Sequence, residues 1–246
     1  MKLRSMLRGA STVLIVAGLL LLVDAGLTLV WQEPVSAFFA QRDQNRLSGD
    51  FRALQKAPPS KVEQRALTVL HLPLQKIAFL ARGLRRKAGE GDAIGRIKIA
   101  RIGADFVLVN GTSTDDLTKG PGVYPQTSYP GVPGTTAIAG HRTTYLAPFR
   151  HIDQLKPGDP IVVEMPYGRF TYSVEKQLIV DPHATWVIHR VGHSRLVLSA
   201  CHPLYSAAQR IIIFARLVKV VPLGAAAEGA SRTLVEKAPG LSPSAP

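Results

Sequence analysis

Thiols are almost absent from this 246-residue chain: Cys201 is the only cysteine. That excludes an internal disulfide, and with no second cysteine there is no paired-ligand spacing for a structural metal site, so neither metal nor cofactor is expected. Acidic residues are scarce too, 17 Asp+Glu against 30 Lys+Arg, for a formal charge of +13. Such a balance suits anionic surfaces. Aromatics make up only 7% and do not interleave the basic clusters, so base stacking has no platform and no nucleic-acid partner is expected. With 46% hydrophobic residues the chain has enough apolar material for a sizeable core and is not a disordered polymer.

The one long apolar run lies at the start. Residues 1–8 are basic, carrying Lys2, Arg4 and Arg8, and residues 9–31 form an apolar segment interrupted only by Asp24. The run is long enough to span a bilayer and reads as an uncleaved anchor, with the basic end held in the cytoplasm and everything after it exported. A signal peptide cut at Val35-Ser36-Ala37 is the competing reading, although those small residues lie beyond the apolar stretch. Residues 32–93 are rich in helix formers and broken at Pro58-Pro59 and Pro73, which suggests a partly helical stalk. Its basic end, "ARGLRRKAGEG", reads as solvated linker, with contact to anionic lipid or wall polymer as the alternative.

From Ile94 the texture changes to short β-branched runs: "IGRIKIARIGADFVLVNG", "TTAIAGH", "PIVVEMPYGRFTYSVEKQLIV", "SRLVLSAC" and "RIIIFARLVKVV". Gly/Pro clusters separate them, as expected of an all-β sandwich or closed barrel over residues 94–222. One helical turn is expected at "TSTDDLTKG", capped by Thr112 or Ser113, with Asp115 or Asp116 facing its positive end. Residues 223–246 are small, polar and proline-containing and read as a disordered tail.

Cys201 ends one of these strands. If the next strand returns antiparallel, Arg210 comes back to the same rim, and His141 ends another apolar strand after Gly140, which frees the backbone to turn. A thiol, an imidazole and a guanidinium at one mouth suit acyl transfer. The thiolate attacks, the histidine protonates the departing amine, and the arginine hydrogen-bonds the developing oxyanion. His202 should point away from Cys201 along a strand, and His151, His183, His189 and His193 read as surface or turn histidines. Trp186 and Val187, in the loop before the cysteine strand, and Tyr124, in the loop before the histidine strand, are candidates for the walls of a peptide groove, with core packing or a turn-flanking role as the plain alternatives.

The segments "AIAGHRTTYLAPFRHIDQLKPGDPIVV" and "LVLSACHPLYSAAQRIIIFARL" resemble the sortase family of cell-surface transpeptidases of Gram-positive bacteria, in the order His, Cys, Arg. The likeness covers about residues 94–221, and "LTLVWQEPVSAFFA" resembles the membrane-anchored N-terminus of actinobacterial class E members. It implies a closed eight-stranded β-barrel that cleaves an LPxTG- or LAxTG-type sorting signal of secreted proteins between Thr and Gly. The acyl group then passes to an amine of a peptidoglycan precursor or a pilin. The matching positions are Cys201 as nucleophile, His141 as general acid/base and Arg210 as oxyanion and substrate stabiliser. The family pattern carries Thr before the cysteine where this chain has Ala200, so Ser199 and Ala200 are the substrate-contact positions this departure puts in question. Two other outcomes are compatible with the residues: an endopeptidase releasing to water, and a catalytically silent barrel that binds sorting signals or wall polymer.

Overall fold

The computed structural model describes residues 2–30 and 34–228. Four helices come first: α1 (Lys2–Val30), α2 (Pro34–Lys56), α3 (Lys61–Val69) and α4 (Pro73–Lys87). Within α1, Met6–Gly26 is long and apolar enough to cross a bilayer, and none of it is buried against the rest of the chain. The proline breaks fall where expected. Ser60 caps α3 through a capping box with Glu63, and α4 starts at Pro73, a residue whose missing N–H costs nothing at a helix start.

Then follow β1 (Ala93–Ile99), β2 (Ala104–Asn110), α5 (Thr114–Lys119), β3 (Gly122–Val123), β4 (Thr135–Ala139), β5 (Pro160–Met165), β6 (Gly168–Val180), β7 (Arg195–His202) and β8 (Gln209–Pro222). They close a barrel in the order β1-β2-β3-β4-β7-β8-β6-β5, the expected eight-stranded, all-β body. Pairing is antiparallel except at β2–β3 and β4–β7. The two-residue β3 lies inside a Gly/Pro cluster that reads as loop, because so short a bridge has no period to detect. Ser113 is the cap of α5, and Asp116 returns its carboxylate to the Ser113 backbone.

Alternation along the strands separates two apolar layers. Leu196, Leu198 and Ala200 of β7 and Ile211, Ile213 and Ala215 of β8 join the main core inside the barrel. Val197, Ile212 and Phe214 belong to a smaller cluster with Ala137 and Val187, against the segment joining β6 to β7.

The predicted stalk is no solvated linker. On α2, Leu47 and Phe51 pack with Val107 and Val109 of β2. The buried Gln44 mimics a strand neighbour: its Oε1 accepts from Val107 N at 2.8 Å, and its Nε2 donates to the carbonyls of Val107 and Lys119 at 3.1 and 2.8 Å. On α4, Ile77 and Ala81 are fully buried in the main core. In the basic cluster, Arg85 donates to the carbonyls of Pro125 and Thr127 and lies over the Tyr129 ring, so it ties α4 to the loop after Tyr124. Apolar positions at helical spacing were buried by a barrel that local composition does not announce.

The tail also begins later than expected. Leu223 N donates to Tyr167 O, and Ala226 is fully buried in the main core, so residues 223–228 complete the barrel's packing. The remainder of that expected tail, 229–246, lies outside the described residues.

Candidate active site

Cys201 and Arg210 are direct partners in the β7–β8 ladder, so their side chains leave the sheet on the same face. On the other side of β7, the parallel ladder with β4 runs to Ala139 opposite Ser199, and Gly140 N then donates to Ser199 O at 3.1 Å. His141 follows directly after Gly140, beyond the last rung of the ladder, and lines the same cavity as Cys201. Ser199 shares the cysteine's face, whereas Ala200 turns into the core.

These residues line a cavity of about 230 Å³ formed by Thr112, Leu117, Tyr124, Ala139, Gly140, His141, Ser199, Ala200, Cys201 and Arg210. A second cavity of about 100 Å³ shares Tyr124, Ser199 and Arg210 and continues under the β6–β7 segment past Val180, Ala184, Val187 and Ile188. Together they make a bent cleft with the thiol in one arm. Of the expected wall residues, Tyr124, Ser199, Ala200 and Val187 lie on it. Trp186 does not: its ring is half-exposed and stacks on Phe214 with centroids 6.4 Å apart. A larger open groove of about 630 Å³ between α2, α4 and β1 shares no lining residue with the thiol's cavity and has neither cysteine nor histidine in its walls.

Cys201 is a free, half-buried thiol. The His141 ring lies 5.2 Å from that of Tyr145. Its Nε2 is buried with no hydrogen-bond partner among the described residues, and burial lowers its pKa below the ordinary histidine value of 6.5. Burial thus favours the neutral imidazole. Arg210 Nη1 donates to the carbonyls of Ala207 at 2.9 Å and Gln209 at 3.0 Å. A guanidinium has five N–H donors, so these contacts leave others for a substrate oxygen.

Gly140 is needed for a reason the sequence does not reveal. A Cβ there would lie 2.6 Å from Phe149 Cδ2, inside a ring that is itself fully buried. Close approach, rather than freedom to turn, demands glycine. The following loop is strained, with Tyr145, Leu146 and Ala147 at φ 50, 64 and 41°, a left-handed run costly for residues with a Cβ. Phe149 N donates to His141 O, and Tyr145 N to Ser36 Oγ of α2 at 3.4 Å, so the loop is pinned on both flanks.

His202, the last residue of β7, is not on the cleft, in line with alternation. Nor are His151, His183, His189 and His193. The residues that sequence reasoning missed are Thr112, Leu117, Arg142 and Tyr145. Thr112 and Leu117 are brought in by the fold, whereas Arg142 and Tyr145 follow His141 directly in the chain and gain their contacts only when the loop packs.

A sortase-domain model matches residues 97–218. Sortase D of Bacillus subtilis is 36% identical over 137 residues, which cover 54% of this chain and 67% of that protein. The chain belongs to the sortase family. Sortase SrtE1 of Streptomyces coelicolor is 26% identical over 226 residues, 87% of this chain but 58% of the relative's length. Among solved structures, sortase E of Streptomyces avermitilis is 30% identical with a TM-score of 0.51, covering 55% of this chain and 93% of that one. A Clostridium perfringens sortase D5 transpeptidase is 25% identical with a TM-score of 0.51, covering 59% and 98%. Class E is thus among the relatives of this sortase, beside class D. Both solved relatives are covered almost end to end by little more than half of this chain.

Proposed function

We propose that this sortase is a membrane-anchored cysteine transpeptidase that cuts LAxTG- or LPxTG-type sorting signals of secreted proteins between Thr and Gly. The acyl group passes to an amine of a peptidoglycan precursor or a pilin. The observation that carries the reading is the ladder pairing of Cys201 with Arg210, with His141 two residues past the end of the adjacent strand, around one cavity. Neutral His141 takes the Cys201 proton, and sulfur adds to the threonine carbonyl. Arg210 donates to the oxyanion. The C–N bond then breaks as His141 protonates the glycine amine, leaving a thioester on Cys201. An incoming amine adds to that thioester, loses its proton to His141 and expels the thiolate.

Residues 94–222 are the catalytic unit in this proposal, Cys201, His141 and Arg210 its catalytic residues, and Tyr124, Val187 and Ser199 its substrate contacts, the Ala200 side chain being turned into the core. The apolar stretch of α1 is its anchor. Lys2, Arg4 and Arg8 hold the N-terminus in the cytoplasm, and the barrel lies outside, where exported proteins and lipid-linked wall precursors emerge.

Mass spectrometry of Cys201 after incubation with LAxTG and LPxTG peptides tests the first step, and a glycine oligomer tests the second. A thioester on Cys201, with product diverted from acid to amide, is expected. An acyl-enzyme that yields only free acid across many amines means an endopeptidase, and no adduct with any peptide means a silent binding module.

A further inference from the structure

We infer that Arg142 is a positioning residue that holds Cys201 and His141 in register for reaction. This rests on the thiol–imidazole reading of the cleft. The β4–β7 ladder ends at Ala139–Ser199, with Gly140 N making the last rung, so strand pairing does not fix His141 against Cys201. The Arg142 guanidinium occupies the place where the ladder stops. Its Nη1 lies 3.3 Å from Cys201 O and 3.4 Å from His202 Nδ1. Its Nε and Nη2 donate to Arg150 O at 3.4 and 3.3 Å, and Nη2 lies 3.0 Å from Asp153 Oδ1.

One side chain therefore joins three segments: the loop carrying His141, the turn carrying Asp153 and the end of β7. Arg142 is one peptide bond from His141 and one hydrogen bond from the Cys201 carbonyl. The side chain is only 3% exposed, and a buried cation survives only where it is paired and fully hydrogen-bonded, which explains the convergence of partners. Only a planar fork reaches a carboxylate and carbonyls in several directions at once. A lysine ammonium at the same point keeps the charge and loses that geometry.

The requirement is steep, because a displacement of about 1 Å between reacting groups can cost on the order of a hundredfold in rate. The strained run at Tyr145–Ala147 adds to it: a loop held in sparsely populated backbone angles relaxes unless its flanks are fixed.

The test uses the full chain in detergent or nanodiscs, with Arg142→Lys and Arg142→Met, each also combined with His141→Ala. Rates are normalised to the folded fraction, taken from the amplitude of each variant's cooperative thermal melt, so loss of folded protein does not count as loss of rate. With a sorting peptide, Arg142→Lys and Arg142→Met are expected to lose kcat, Arg142→Met on the order of a hundredfold, with KM little changed, and guanidinium ions are expected to restore part of the rate of a third variant, Arg142→Ala, whose truncated side chain leaves room for the ion. Independently of any peptide, the rate at which iodoacetamide alkylates Cys201 is expected to respond to His141→Ala in the native background and to lose that response in the Arg142 variants. A normalised kcat near native, or an undiminished His141 effect on alkylation in Arg142→Lys, overturns the inference. If the native protein cleaves no sorting peptide, the proposed function fails while the alkylation arm still decides the role of Arg142.

Discussion

Removing residues 1–33 and removing residues 1–90 should give proteins of very different stability. The shorter cut deletes α1, whose Met6–Gly26 stretch is not buried against the rest of the chain, and leaves α2 to α4 in place. The longer cut strips Leu47, Phe51 and Ile77 from their contacts with β2 and the main core. Burying a side chain of that size stabilises by about 1.5–3 kcal/mol, so these three together account for roughly 5–9 kcal/mol. That is comparable with the whole stability of an ordinary domain, about 5–15 kcal/mol. Gln44 adds to it, because its loss leaves the buried Val107 N–H and C=O facing the helix without their partner, at a cost of about 1–3 kcal/mol. Thermal melts followed by circular dichroism are the assay. The 34–246 protein should melt cooperatively, and its Gln44→Ala variant should melt lower by roughly 2–4 °C per kcal/mol lost. The 91–246 protein should be unfolded or aggregated. If it melts within a few degrees of the longer protein, the helices contribute nothing and the packing argument is wrong.

Cys201→Ala and His141→Ala should each abolish turnover. Arg210→Ala should lower kcat on the order of several hundredfold, the usual worth of an oxyanion donor being about 2.7–4 kcal/mol; near-native activity there would remove arginine from the mechanism. His202→Ala, off the cleft, should keep a substantial fraction, and its complete inactivation in a folded protein would reverse that assignment. Because burial favours neutral His141, the acid limb of the bell in kcat/KM should lie below the ordinary histidine value and move upward in Tyr145→Ala, which wets the ring; an acid limb at or above 6.5 in the native enzyme contradicts it. The same depressed value means that this group's contribution to folding is complete above 6.5 and is lost as pH falls through its folded pKa, measurable as a lower urea midpoint in acid that His141→Gln abolishes. Gly140→Ala should cost activity by pushing the Phe149 ring, and a crystal structure with His141 unmoved would refute that route.

That Cys201, His141 and Arg210 meet at one cavity was legible because the segments that carry them are local. "TTAIAGH", "SRLVLSAC" and "RIIIFARL" are strands by their own β-branched content, and the short link from Cys201 to Arg210 leaves an antiparallel return as the simple solution. Alternation alone then turned His202 away from the thiol's face, whereas Ala200, expected to touch substrate, proved to point into the core. Trp186 escaped this logic, since it lies on a short helical turn outside any ladder and took the exposed face of Phe214 instead of the cleft.

Chain order and residue type determined the strands, the cap of α5 and which groups could do chemistry, since each depends on neighbours within a few positions. Tertiary structure alone decided that β4 lies parallel beside β7, that α2 and α4 brace the barrel, and that Ala226 closes its core. It also decided that Arg142 is buried at the end of a ladder. Those outcomes depend on contacts between segments far apart in the chain, where burial of a shared apolar surface and the partners it leaves for a polar group outweigh anything the local sequence prefers.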